Sequence, residues 1–237
     1  MSLADHAVRL AALHESPGFR ADRFDAGPAF TGRVAVLPSA FNPPTRAHLG
    51  LLELGRAEEG ISAVAALLST TNVDKHLFGA PLAHRVGMLL ALGERRPWLA
   101  VLGTNAARLA DQGLALTTAF PGVGFDFIVG FDTLVRLFDP KYYTDMGREL
   151  AAFFARHRVL ATNRGQANAD AVRDFCLEPG VRPFADHVLV RELDPERAWM
   201  SSTSARGHIS QGEVAPALAP EVDRYIREHG LYGEMEA

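Results

Sequence analysis

Cysteine is all but missing from this chain. Cys176 stands alone, so no intrachain disulfide can form. An oxidising compartment is therefore not indicated, and the protein is expected to be cytosolic. Apolar runs long enough to span a bilayer are missing too. The N-terminus, with Asp5, His6 and Arg9 spread along it, does not read as a secretory signal. A surplus of positive charge is lacking: 24 Lys and Arg face 28 Asp and Glu, for a net charge of −4. That balance argues against a broad nucleic-acid-binding face, so an anionic ligand would need local basic residues. No cluster has structural-zinc spacing, and no metal-ligating residues are assigned. No Gly-x-Gly-x-x-Gly opens a helix after the first strand, and Gly122-Val-Gly124 precedes a strand, so the ordinary dinucleotide-binding fingerprint is absent. Lysine is scarce: Lys75 and Lys141 are the only two. In a chain that prefers arginine, such a lysine either marks a place for a flexible point charge or survives by chance.

What is present reads as one α/β domain. At 237 residues, 48% hydrophobic and 22% charged, the chain can bury a full core. Ala7, Leu10, Ala11 and Leu13 point to a short N-terminal helix. A Gly/Pro/Asp-rich connector from Ser16 to Gly32 leads to the first strand, which divides the chain into residues 1–32 and 33–237. Strands are expected at Arg33–Leu37, Ile61–Leu68, Trp98–Leu102, Phe125–Val129, Val159–Ala161 and His187–Val190. Helices are expected at Arg46–Glu58, Pro81–Leu92, Gly147–Arg156, Ala169–Phe175, Ser201–Gln211 and Pro220–His229, the last closed by Gly230. This alternation predicts a doubly wound parallel sheet with C-terminal helices, and ligands at the carboxyl ends of the strands.

Two strings carry the strongest chemical signal. Leu37-Pro-Ser-Ala-Phe-Asn-Pro-Pro-Thr-Arg-Ala-His48 joins a strand to a helix through a short loop. Free N–H groups and the positive end of the helix dipole make such a junction a site for phosphate, which His48 on the first turn and the Thr45 hydroxyl could both reach. Read alone, the same string is also a rigid turn with Thr45 as N-cap and His48 on the surface. Met200-Ser-Ser-Thr-Ser-Ala-Arg206 places three hydroxyls and an arginine at another helix start, which serves equally as an oxyanion cradle or a plain cap.

Taken whole, the first string resembles the Gly-Ser-Phe-(Asp/Asn)-Pro-x-(His/Thr)-x-x-His signature of the nucleotidylyltransferase superfamily. Its form is most similar to the nicotinamide and nicotinate mononucleotide adenylyltransferases: Phe41, Asn42, Pro43, Thr45 and His48 match. Pro38-Ser39-Ala40 departs from the usual glycine-rich approach, and Ala47 stands where many bacterial members carry glycine. The second string resembles the family's Ile-Ser-Ser-Thr-x-x-Arg segment, and Val222-Asp-Arg-Tyr225-Ile-Arg-Glu-His229-Gly-Leu-Tyr232 its closing helix, read here as structural with Val222, Tyr225 and Ile226 buried. Phe127-Ile-Val-Gly130-Phe-Asp132 resembles the family's Gly-Ala-Asp-x-Leu, although Asp132 also suits a helix N-cap. Thr70-Thr-Asn-Val-Asp-Lys75 with His84-Arg85-Val-Gly-Met88 resembles its lysine-bearing loop and the helix that follows.

The resemblance implies a Rossmann-like fold and adenylyl transfer from ATP, with Mg²⁺, to nicotinamide or nicotinate mononucleotide, releasing pyrophosphate. It assigns catalysis to His48, Thr45, Arg206 and Lys75. It assigns ATP binding to Ala40, Phe41, Asn42, Gly130, Asp132, Arg164, Ser201, Ser202 and Thr203. Lys75, Trp98 and Asn105 would meet the mononucleotide. Arg164 also reads as a solvated loop arginine, and Lys141 as a surface residue. Another phosphorylated acceptor such as phosphopantetheine, or a nucleotide-binding regulator without turnover, are the other readings. The partners are small molecules, with no nucleic acid and no membrane, and a homo-oligomer is left open.

Overall fold

The computed structural model describes residues 1–71, 78–162, 169–193 and 200–233. Lys75 and Arg164 lie outside the described residues. Along the chain run α1 (Leu3–Glu15), β1 (Ala21–Arg23), β2 (Arg33–Pro38), α2 (Arg46–Arg56), β3 (Ile61–Ser69) and α3 (Leu82–Glu94). Then follow β4 (Leu99–Thr104), α4 (Leu109–Ala119), β5 (Gly124–Gly130), α5 (Phe131–Leu137), α6 (Met146–Phe154) and β6 (Arg158–Thr162). The chain continues through α7 (Ala169–Cys176), β7 (Val188–Arg191), α8 (Ser202–Ser210) and α9 (Pro220–Glu228).

The strands form one sheet in the order β1-β4-β3-β2-β5-β6-β7. All neighbours pair in parallel except β1, which runs antiparallel to β4 with Ala21 opposite Thr104. The order reverses between β2 and β5, where Val36 faces Phe127. That is the topological switch point of a doubly wound sheet, and a crevice opens there beyond the carboxyl ends.

Burial explains the strand composition. Val34–Leu37 and Val64–Leu68 are buried on both faces, so they read as unbroken apolar runs instead of alternating ones. One core cluster packs α2, α3 and α9 on one face; the other, rich in phenylalanine, packs α4, α5 and α6 on the opposite face. A Cβ on Gly55 would come within 2.6 Å of Ile128 and 2.9 Å of Ala35. Glycine there lets α2 seat close to β2 and β5, which fixes the start of that helix beside the crevice.

The expected N-terminal helix is present as α1, which buries His6, Leu10 and Leu13 and leaves Ala7 and Ala11 exposed. Two expectations need correction. The stretch read as a connector contains strand β1, whose short length and Asp22 give no apolar alternation to detect. Helix α4 was not expected; its interior Gly113 lowers helix propensity, yet only glycine fits 2.7 Å from the Phe153 ring. Gly230, at φ +59°, sits just beyond the C-cap His229 of α9 as expected of a helix stop.

Candidate active site

His48 occupies the third position of α2 and is 2% exposed. The Thr45 backbone N–H donates to its Nδ1 at 3.0 Å. Nδ1 is therefore an acceptor, and the ring's proton sits on Nε2, 3.0 Å from Ser39 Oγ. Thr45 Oγ1 lies 2.9 Å from the same Nδ1. Thr45, itself buried, thus orients the imidazole so that its N–H looks out past the end of β2.

The loop from Ala40 to Thr45 is held from several directions. Phe41 has a φ of +45° and sets its ring 5.1 Å from that of His48, tilted by 50°. The Asn42 amide makes three hydrogen bonds: Nδ2 donates to Phe78 O at 2.8 Å, and Oδ1 accepts from Ala80 N–H at 3.2 Å and from the Tyr232 hydroxyl at 2.8 Å. Burial pushes the Tyr232 phenol upward, so it stays a neutral donor. Buried Arg85 ties the loop to α3 by donating to the carbonyls of Ala40 at 3.1 Å, Ala80 at 2.8 Å and Phe78 at 2.5 Å.

The C-terminal hydroxyl segment docks on this same loop. Ser202 Oγ donates to Pro43 O at 2.8 Å, and Arg206 donates to Asn42 O at 2.6 Å while lying 5.1 Å over the Phe78 ring. Ser201 caps α8 by accepting from Ser204 N–H at 3.1 Å. Two strings some 160 residues apart in sequence are therefore one structural unit. Thr203 is exposed on the outer side of that unit.

Across the switch point, Gly130 ends β5 and precedes α5, and Asp132 is exposed on the first turn of that helix. Beside Ser39 and Ala40 opens a cleft of about 240 Å³, bounded further by Arg85, Arg108, Gln112 and Tyr143. Arg108 is held by Asp111 at 2.6 and 2.7 Å and by Glu149 at 3.3 Å. Those carboxylates, Asp111 foremost, raise its pKa. Tyr143 donates to Leu137 O at 2.5 Å, and burial raises its phenol.

Several of the expected site residues are engaged within the protein. Phe41 and Asn42 are buried in the loop's own packing, where they shape its backbone. At the start of α2, Arg46 N–H donates to Ala217 O at 2.8 Å and Thr45 N–H to His48. Trp98 precedes β4, at the opposite end of the sheet from the cleft, where Arg56 lies 5.1 Å over its ring. The Asn105 side chain faces the N-terminal segment, accepting from Arg20 N–H at 2.7 Å and donating to Ser16 O and Gly18 O. Arg85, Arg108, Gln112, Tyr142 and Tyr143 around the cleft were not singled out as site residues in the sequence. The Arg108-x-x-Asp111 spacing was the one local signal, an i,i+3 ion pair at a helix start. Among the described residues no group of three or more His, Cys, Asp or Glu is arranged to hold a metal ion. No helix there is long and apolar enough to cross a membrane.

Comparison with known proteins bears on this arrangement. No family model matches the chain. A protein of Anaeromyxobacter sp. (strain K), provisionally named a nicotinate-nucleotide adenylyltransferase, is 30% identical over 212 residues, covering 84% of this chain and 96% of that protein. The chain belongs to the nicotinamide/nicotinate mononucleotide adenylyltransferase family. A Schizosaccharomyces pombe protein, provisionally named a nicotinamide mononucleotide adenylyltransferase, is 32% identical over 136 residues; the match spans 55% of this chain and about half (53%) of that protein. The fold agrees with the Plasmodium falciparum nicotinic acid mononucleotide adenylyltransferase complexed with NaAD, at a TM-score of 0.62 and 15% identity over 85% of this chain and 97% of that one.

Proposed function

We propose that this adenylyltransferase-family protein joins the AMP moiety of ATP to the 5′-phosphate of a pyridine mononucleotide and releases pyrophosphate. The observation that carries the reading is the union of His48 with the Ser201–Arg206 segment at the switch point, next to a cleft. Both reactants are anions, so the site's work is to align phosphates and offset charge, with no covalent intermediate.

In this reading the His48 Nε2–H, bonded to Ser39 Oγ, exchanges that partner for a phosphate oxygen when ATP enters, and its donation strengthens as charge builds on the leaving group. Thr45 is a positioning residue that fixes the tautomer. Arg206, with Ser201, Ser202 and Thr203 at the start of α8, meets the β- and γ-phosphates, and Ala40 lets the backbone approach them. Asp132 after Gly130 meets the ribose of ATP. Lys75 and Arg164 remain in the proposal as further cations. Mg²⁺ arrives as part of the substrate, bound to ATP oxygens and water; hydroxyl and guanidinium donors suit the phosphates that carry it. The single Cys176 supports a cytosolic setting.

A direct assay tests this. The purified protein with ATP, Mg²⁺ and each mononucleotide in turn should form the dinucleotide and pyrophosphate from at least one. ATP binding without turnover on either would reject the reading.

A further inference from the structure

Tyr232 lies beyond the last helix, and its backbone takes a φ of +60°. A residue other than glycine keeps that left-handed conformation only where its surroundings fix it. Two contacts do so here. The ring packs against the core cluster around α2, α3 and α9, and the hydroxyl donates to Asn42 Oδ1 at 2.8 Å, across 190 positions of sequence. Arg85 and Arg206 lie near enough to favour the phenolate, but burial outweighs them and the hydroxyl stays a donor.

The acceptor sits at the turn of the loop that leads to Thr45 and His48. Phe41, the residue before it, is a second left-handed non-glycine position, at φ +45°, with its ring 5.1 Å from that of His48. The Asn42 carbonyl accepts from Arg206 at 2.6 Å, and its Nδ2 donates to Phe78 O at 2.8 Å. The other donor to Oδ1, Ala80 N–H, is farther off at 3.2 Å. The Tyr232 hydroxyl is thus the shorter of the two bonds that hold this side chain by its oxygen.

Resting on the adenylyl-transfer reading above, we infer that Tyr232 is a positioning residue for ATP: through Asn42 it holds the strained turn at Phe41 in the shape that receives the triphosphate. Tyr232 itself does not touch the nucleotide. His48 takes its orientation from Thr45 within the first turn of α2, a local contact that does not pass through Tyr232. Loss of the hydroxyl should therefore weaken ATP binding and spare the chemical step.

The test compares the wild type, Tyr232→Phe and Tyr225→Phe. Calorimetric titration with ATP and Mg²⁺ gives the affinity, steady-state assays with each mononucleotide give kcat and KM, and melting temperatures report the fold. Tyr232→Phe keeps the ring and removes one hydroxyl. Its Kd and KM for ATP should rise about 3- to 10-fold, with kcat and the mononucleotide KM within about twofold of wild type. Tyr225→Phe removes another hydroxyl from the same end of the chain, one that lies 3.3 Å from His84 Nδ1 on α3, and should leave ATP affinity unchanged. Unchanged ATP affinity in Tyr232→Phe, whatever its melting temperature, overturns this inference. An equal loss in Tyr225→Phe also overturns it, because the cause would then be a general loosening of α9. Turnover of neither mononucleotide by the wild type overturns the adenylyl-transfer reading, while the ATP titrations still decide the role of Tyr232. Failure of the wild type to bind ATP overturns both.

Discussion

Arg206 donates to the backbone carbonyl of Asn42 at 2.6 Å, tying the hydroxyl-rich start of α8 to the loop that leads to Thr45 and His48. In the proposed reading the guanidinium has two tasks, holding the loop and presenting positive charge to the phosphates. Arg206→Ala should raise the KM for ATP, with a transition-state penalty of about 1.5–3 kcal/mol from the lost charge-assisted bond. It should also lower the melting temperature, because the Asn42 carbonyl loses a partner. Arg206→Lys should recover part of the charge but not the planar contact over Phe78. An alanine variant with unchanged ATP kinetics and a reduced melting temperature would leave Arg206 with the structural task only.

His48 combines a capping bond to Thr45 N–H with an outward N–H toward Ser39. His48→Ala should cut turnover by roughly 10²–10³, the usual cost of one preorganised donor. Loss of the cap should cost stability of about 1 kcal/mol. Ser39→Ala separates the two roles, since it removes only the hydroxyl that a phosphate would displace; its turnover should stay within about threefold of wild type. Steady-state rates and melting curves on the same preparations decide this, and near-wild-type turnover in His48→Ala would remove the histidine from catalysis.

Local features were legible in the sequence and long-range ones were not. Thr45 and His48 share a helix start, so their meeting follows from spacing alone. The docking of Ser202 and Arg206 on Pro43 and Asn42 joins distant segments, and only the family resemblance anticipated that these strings act together. Trp98 was misplaced because it precedes its strand, and in a parallel sheet that puts it at the far end from the ligand side. Asn105 does sit at the carboxyl end of β4, yet residues 16–20 consume its amide, a partnership over 85 positions that no local pattern reveals. Gln112 was invisible because the glycine that permits α4 to pack also hides the helix that carries it.

At the opposite end of the sheet, Asp126 of β5 is 1% exposed and lies between Arg33 of β2 and Arg158 of β6. This cross-strand clamp joins the strands that flank the switch point. Asp126→Ala would leave two arginines facing each other without their shared carboxylate, and should destabilise the fold by about 3 kcal/mol. Their partial exposure to water keeps the cost at the low end of the range for a broken buried pair. Because the clamp is far from the cleft, specific activity of the folded fraction at low temperature should be close to wild type. Urea unfolding gives the first quantity; a loss below about 1 kcal/mol would show the clamp to be ornamental to stability.

His157 makes the stability of the fold pH-dependent. It is buried between α4 and β5, where Phe125 N–H donates to its Nδ1 at 3.2 Å and its Nε2 lies 3.2 Å from Gly113 O and 3.0 Å from Thr117 Oγ1. Only the neutral Nε2–H tautomer satisfies all of these contacts, and burial lowers the imidazole pKa to about 4. Above pH 6.5 the folded and unfolded chains are both neutral at this position, and its contribution is fully present. As pH falls from 6.5 to 4 the unfolded chain takes up a proton that the folded chain refuses. Stability should then decline by on the order of 3 kcal/mol across that window. His6 and His84, both also lowered by burial, act in the same direction, so the wild-type curve alone does not isolate His157. His157→Gln supplies the isolation, since its amide can accept from Phe125 N–H and donate to Gly113 O without titrating. Urea midpoints measured from pH 7 to pH 4 should show the wild type losing its advantage over the glutamine variant as the solution acidifies. Parallel curves for the two proteins would mean that His157 is already protonated in the folded state or never strongly desolvated.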